Sequence, residues 1–118
     1  MSRIGALQLL NQTVAGVVNG AAVTVGTGVE KAAITLTGSA FGGVTPSFTV
    51  KVQHSFDNGT SWIDLVTMTA MTANGSETKF VSEDAGTVVI GTSFRAIVSA
   101  ASGSTPTALL VVTATVKD

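Results

Sequence analysis

This chain of 118 residues is short of most groups that do chemistry. It has no cysteine, which excludes disulfides and thiolate metal sites. It has one histidine, His54, so a histidine-rich metal site is excluded too. Tyrosine is absent, and the aromatics are five phenylalanines and one tryptophan. Charged residues make up only 11% of the chain, against about 25% in ordinary soluble domains. No apolar run reaches the roughly 18 residues a membrane-spanning helix needs. The six basic residues are scattered and the net charge is −1, so no basic track for phosphates is present. Neither nucleic acid nor membrane is expected as a partner, and no cofactor is expected.

Scarce charge also says something about the surface. Thr, Ser, Ala and Gly must cover much of it. Either this is simply a Thr-rich β protein, or part of that surface is buried against neighbouring subunits. Interface cores are depleted in Lys, Glu and Asp, and obligate interfaces are the more apolar kind.

What is present is β pattern. Ala32, Ile34 and Leu36 alternate with Ala33, Thr35 and Thr37. Phe48, Val50, Val52, His54 and Phe56 share one phase, with Thr49, Lys51, Gln53 and Ser55 on the other. This period of two marks half-buried strands. Ile63 and Leu65, Phe80 and Val81, Val88 to Ile90, and Phe94 to Ala100 supply further short strands. The last is LLVVTATV, residues 109–116, whose outer phase Leu109, Val111, Thr113 and Thr115 is still apolar at two positions. That again suggests a covered face. Gly42-Gly43, Pro46, Asn74-Gly75, Gly103 and Pro106 punctuate the pattern. The expectation is one all-β domain over residues 21–118. Its architecture is read as an antiparallel β-sandwich of about seven or eight strands, immunoglobulin-like or jelly-roll, with a small barrel as the alternative.

Residues 1–20 are expected to form a short helix or an extended N-terminal arm lying over this domain or over another subunit. The polar residues Gln8, Asn11, Gln12 and Asn19 break the continuous apolar core that a signal peptide needs.

The stretch with most chemical promise is HSFDNGTSWIDL, residues 54–65. Each residue of its turn has a folding task. Asp57 can accept bonds from backbone N–H groups further round the turn. Asn58-Gly59 tolerates the positive φ that a tight hairpin demands. Trp62 can fold back over the base of the loop. Residues 55–62 resemble the Asp-box of sialidases and related β-propellers, where the motif is a structural turn. A propeller repeats it blade by blade, but here there is one copy in a chain too short for more than two or three blades. Glycoside hydrolysis needs two carboxylates roughly 5–9 Å apart, and none of Glu30, Asp64, Glu77, Glu83, Asp84 and Asp118 pairs convincingly with Asp57.

Other candidates are weaker. His54 falls in the core phase and reads as a satisfied histidine. Gly26-Thr27-Gly28 and Gly42-Gly43 lack the lysine or third glycine of nucleotide loops. The sequons at Asn11, Asn58 and Asn74 read as turn chemistry. Glu83-Asp84 alone is far from a calcium shell. No catalytic or metal residue is assigned. Asp57, Asn58, Gly59 and Trp62 are assigned as a structural turn.

Residues 32–66, ending in VQHSFDNGTSWIDLV, resemble the strand–turn–strand unit of small β-sandwich proteins in tailed bacteriophage virions, such as capsid decoration (cement) proteins. The resemblance implies a non-enzymatic virion protein that binds the major capsid protein and other virion proteins as a homo-oligomer, a trimer among the options. A neck or tail accessory protein and a carbohydrate-binding module are the alternatives. The last predicts a platform of exposed aromatics, which one Trp and mostly core-phase Phe supply poorly.

Overall fold

The computed structural model describes residues 4–26, 29–82 and 90–117. All regular structure among them is β-strand: β1 (Ile4–Val14), β2 (Val18–Asn19), β3 (Val23–Thr24), β4 (Lys31–Ser55), β5 (Ile63–Thr67), β6 (Gly75–Ser82) and β7 (Ser93–Lys117). The all-β antiparallel class is as the alternation implies. The hydrogen bonding differs from the expected pair of sheets, because the seven strands form one sheet. Two strands, β4 and β7, run 25 residues each and pair along their whole length. Sequence punctuation at Gly42-Gly43 and Gly103 reads as loops, yet the ladder continues through it.

A straight 25-residue strand would span about 80 Å, while the longest dimension of the molecule is 47 Å. The β4–β7 ribbon therefore bends. The bend is where the register slips, between Ser39 and Ser47, and where Ala40, Gly43, Thr45, Gly103 and Thr105 take positive φ. It divides the sheet into two leaves. Leaf one holds residues 31–38 of β4 and 109–117 of β7, flanked by β6 and β1. Leaf two holds residues 48–55 and 93–101, flanked by β5, β2 and β3. Alternate residues of both leaves form one hydrophobic core: Ile34, Leu36, Leu110 and Val112 from the first, Phe48, Val50, Phe94 and Val98 from the second. Lys79 Nζ in β6 donates to the Thr67 carbonyl at 2.8 Å and ties the open edges of the leaves together. The layered arrangement that a sandwich achieves with two sheets is reached here by folding one.

The bend carries a repeat. SAFGGVTP at 39–46 and SAASGSTP at 99–106 share Ser, Ala, Gly, Thr and Pro at positions sixty residues apart. The pairing obeys the same offset. Thr35 faces Thr113 as Arg95 faces Gln53; Leu36 faces Val112 as Ala96 faces Val52; Val44 faces its own counterpart, Ser104. A pseudo-two-fold axis thus passes through the bend, exchanging β4 with β7, β1 with β5, and leaf one with leaf two. The two glycines show why the bend needs them. A Cβ on Gly43 would lie 2.3 Å from the Thr105 carbonyl oxygen, and one on Gly103 would lie 2.6 Å from the Thr45 carbonyl oxygen.

Of the two forms expected for the N-terminal segment, a short helix or an extended arm over the domain, its described residues take the extended one. Ile4–Val14 is an edge strand on β7, running antiparallel to residues 108–117 with a bulge between Gln8 and Leu10. The bulge lets Leu9 and Leu10 both reach the core. The expected strand at Val88–Ile90 and the Glu83-Asp84 pair fall on or next to residues outside those described; Ile90 itself is buried but not in a strand.

Candidate functional site

The hairpin between β4 and β5 is built by Ser55 and Asp57 together. Ser55 is fully buried. Its hydroxyl donates to Asp57 Oδ1 at 2.7 Å and accepts the Gly59 N–H at 2.8 Å. Asp57 Oδ1 also accepts the Ser61 N–H at 2.8 Å. Asn58 and Gly59 take φ of 59° and 91°, so the chain turns through two left-handed residues in a row. A Cβ on Gly59 would stand 3.4 Å from Trp62 Cζ2, which places the indole against the turn.

The Arg95 guanidinium, from β7, lies 4.6 Å from the Trp62 ring centroid, a cation–π contact. A polar chain continues from it across the outer face of leaf two. Arg95 Nε donates to Gln53 Oε1 at 2.8 Å, Gln53 Nε2 donates to Asp64 Oδ1 at 2.9 Å, and Lys51 Nζ meets Asp64 Oδ2 at 3.0 Å. Trp62 is half-buried, and the Arg95 guanidinium lies over its ring where a sugar would stack.

The electrostatics point the same way. The Ser55 hydroxyl and then the Ser61 amide hold the Asp57 carboxyl below its ordinary value. The Gln53 amide and then Lys51 do the same for Asp64, and Thr69 does so for Glu77. A general acid requires a carboxyl pushed up, so its proton is available near neutrality. These three are all stabilised as anions. Their lone pairs are spent on holding turns and edges in place.

His54 is buried at 6% exposure, with its ring 4.8 Å from that of Phe56. Its Nδ1 accepts the Gly91 N–H at 3.1 Å, so that nitrogen carries a lone pair and the ring is neutral. Burial pushes its pKa down. Here it is a satisfied core histidine, as its strand phase implies. Phe56 shares that phase but is exposed, because the chain leaves the ladder at Ser55 to enter the turn. Among the described residues, no group of three or more His, Asp or Glu could hold a metal ion.

The structure therefore brings Asp57, Asn58, Gly59 and Trp62 into one turn. It adds Ser55, Gln53 and Arg95, for which sequence reasoning assigned no role. Gln53 is legible as an outer-phase residue of its strand. Its union with Arg95 is not, because the two are 42 positions apart and no local pattern links them.

A second feature lies on leaf one. Phe80 in β6 is 80% exposed. It borders a shallow cleft of about 270 Å³ with almost wholly apolar walls, between Lys31, Ala33, Phe80, Thr115 and Lys117. Away from Lys31 and Lys117, the outer face carries the uncharged Thr35, Thr37, Ser76, Thr78, Val111 and Thr113. The Thr35 and Thr78 hydroxyls bond to each other at 3.0 Å, so they are partly satisfied without water. No helix is long and apolar enough to cross a membrane among the described residues. Comparisons with protein-family models, curated proteins and solved structures found no match to this chain.

Proposed function

We propose that this chain is a non-enzymatic structural protein that acts by being fitted into a larger assembly, as a decoration or cement protein on the head of a tailed bacteriophage. One observation carries this reading. Apart from Lys31 and Lys117 at one end, the described outer face of leaf one is a sheet surface of uncharged residues, with a phenylalanine standing out of it. An exposed phenylalanine beside an apolar cleft is the kind of patch that marks interaction sites on protein surfaces. The resemblance of residues 32–66 to virion β-sandwich proteins names the kind of assembly, with the major capsid protein and further copies of the chain as neighbours.

The mechanism is linkage. A protein that binds the closed shell and not the free subunits stabilises the shell by its binding free energy. Modest contacts repeated over a symmetric lattice accumulate through multivalency. A rigid, doubly layered β module suits this role because little ordering entropy is lost when it docks. Electron microscopy of the native particle tests the reading. Ordered copies over the head surface are expected. A ring of copies at the neck or tail would replace it with an accessory role there. A free monomer that binds glycans in a retention assay would overturn both.

A further inference from the structure

Three of the four asparagines in the chain, Asn19, Asn58 and Asn74, precede a glycine. Such a pair can cyclise. The backbone nitrogen of the glycine, once it loses its proton, adds to the asparagine side-chain carbonyl carbon, Cγ. The N–Cγ bond forms, the Cγ–Nδ2 bond breaks, and Nδ2 leaves as ammonia. Water then opens the five-membered imide at either carbonyl and yields aspartate or isoaspartate. Glycine permits this best because no Cβ hinders its nitrogen and its backbone is the least restricted. The step asks two things of the fold: a glycine nitrogen that can give up its proton, and an asparagine backbone that brings this nitrogen toward the side chain. All three asparagines are exposed, so solvent reaches each of them and the backbone decides.

Two of the pairs are locked. The Gly20 N–H donates to the Ala96 carbonyl at 2.8 Å, and Asn19 is held in β2 opposite Ile97. The Gly59 N–H donates to Oγ of the buried Ser55 at 2.8 Å. Asn58 is also left-handed, with φ of 59°. The ψ of that region, about +30 to +60°, sets the Gly59 nitrogen nearly opposite Cβ across the Cα–C bond, where Cγ cannot reach it. Asn74 is not left-handed, and it lies just before β6 rather than in a strand. Gly75 opens β6 and pairs with Gly38 at the end of the ladder, where pairing frays most readily. A Cβ on Gly75 would meet nothing nearer than 3.9 Å, so the imide has room. We infer that Asn74 is a site of spontaneous modification, deamidating through a succinimide to isoaspartate and aspartate, while the fold shields the same dipeptide at Asn19 and Asn58. The product places a new carboxylate, and in the isoaspartate form an extra backbone carbon, at the head of the strand that carries Ser76, Thr78 and Phe80. Charge then enters with age at the rim of the face read above as a contact surface, and the inference stands independently of that reading.

The test is peptide mapping by mass spectrometry after the full chain has been incubated in mildly alkaline buffer, with a parallel sample in urea. In the native chain Asn74 is expected to convert at least tenfold faster than Asn19 or Asn58. Its rate should rise with pH, because the attacking Gly75 nitrogen must first lose its proton. In urea the three sites are expected to converge, since all are then the same dipeptide in an open chain. Gly75→Ala, whose methyl group has room, is expected to keep the wild-type melting curve and to slow conversion of Asn74 at least tenfold. Native conversion of Asn19 or Asn58 as fast as that of Asn74 overturns the inference. So does an Asn74 that persists in the native chain while it converts in urea, or a folded Gly75→Ala chain that converts at the wild-type rate.

Discussion

At the scale of single residues, the hairpin side chains act as clasps. Trp62 lies against Gly59 and Arg95 but is not sunk in the core. Trp62→Ala therefore forfeits a cation–π contact and part of a ring's burial, about 1–2 kcal/mol, rather than the ~3–5 kcal/mol of a core aromatic. Urea unfolding measures this, and a loss in the core range would mean the ring is far better buried. His54 predicts a pH dependence. Its folded pKa lies below the ordinary value of about 6.5 because burial disfavours the imidazolium. The unfolded chain then binds the proton first, so stability is full above about pH 6.5 and falls as pH drops through that value. Protonation at Nδ1 would also set a proton against the Gly91 N–H. Unfolding free energies between pH 7.5 and 5.5 should decline, and His54→Gln should flatten that slope. At lower pH, Asp57, Asp64 and Glu77, all held below their ordinary values, add a second decline as they protonate.

At the scale of elements, the decisive unit is the bent β4–β7 ribbon. Two long strands cross at a point where each glycine faces the other strand's carbonyls. Gly43→Ala and Gly103→Ala place a methyl group into backbone at φ of 90° and 110°. Each should destabilise by more than about 1 kcal/mol, read as a lowered melting temperature. Gly5→Ala meets nothing within 4 Å and should be nearly neutral. If Gly43→Ala were as benign as Gly5→Ala, the bend would not be the close backbone crossing described here. The turn glycines were legible in the sequence as punctuation. Punctuation alone does not separate a bent strand from a loop, since both use the same residues: Gly and Pro mark a change of direction and do not say whether the ladder is kept. The paired SA-x-x-G-x-T-P segments were in plain view, and they are the signal that could have revealed the two-fold arrangement.

At the scale of the whole molecule, nearly all pairing is non-local. Lys31 pairs with Lys117, and Ile4 also pairs with Lys117. Loop closure must precede the reward from such contacts, so folding should fall in the slow range of milliseconds to seconds. Stopped-flow refolding followed by Trp62 fluorescence would show it, and a microsecond phase carrying the full amplitude would contradict it. The same scale holds the argument for assembly. Uncharged surface is a property of the composition, but only the fold gathers it onto one leaf, with Phe80 and its cleft side by side.

The sequence by itself determined the all-β class, the inward phases of the long strands and the Asp57–Trp62 turn. These follow from local rules: period-two alternation, turn chemistry and the presence or absence of residue types. Tertiary structure alone decided that two leaves belong to one sheet, that Ile4–Val14 closes an edge of it, that Arg95 caps Trp62, and which face gathers the uncharged threonines. Each of those facts joins residues 30 or more positions apart, and backbone pairing over such distances is chosen by the packing of the whole core, which no local pattern encodes.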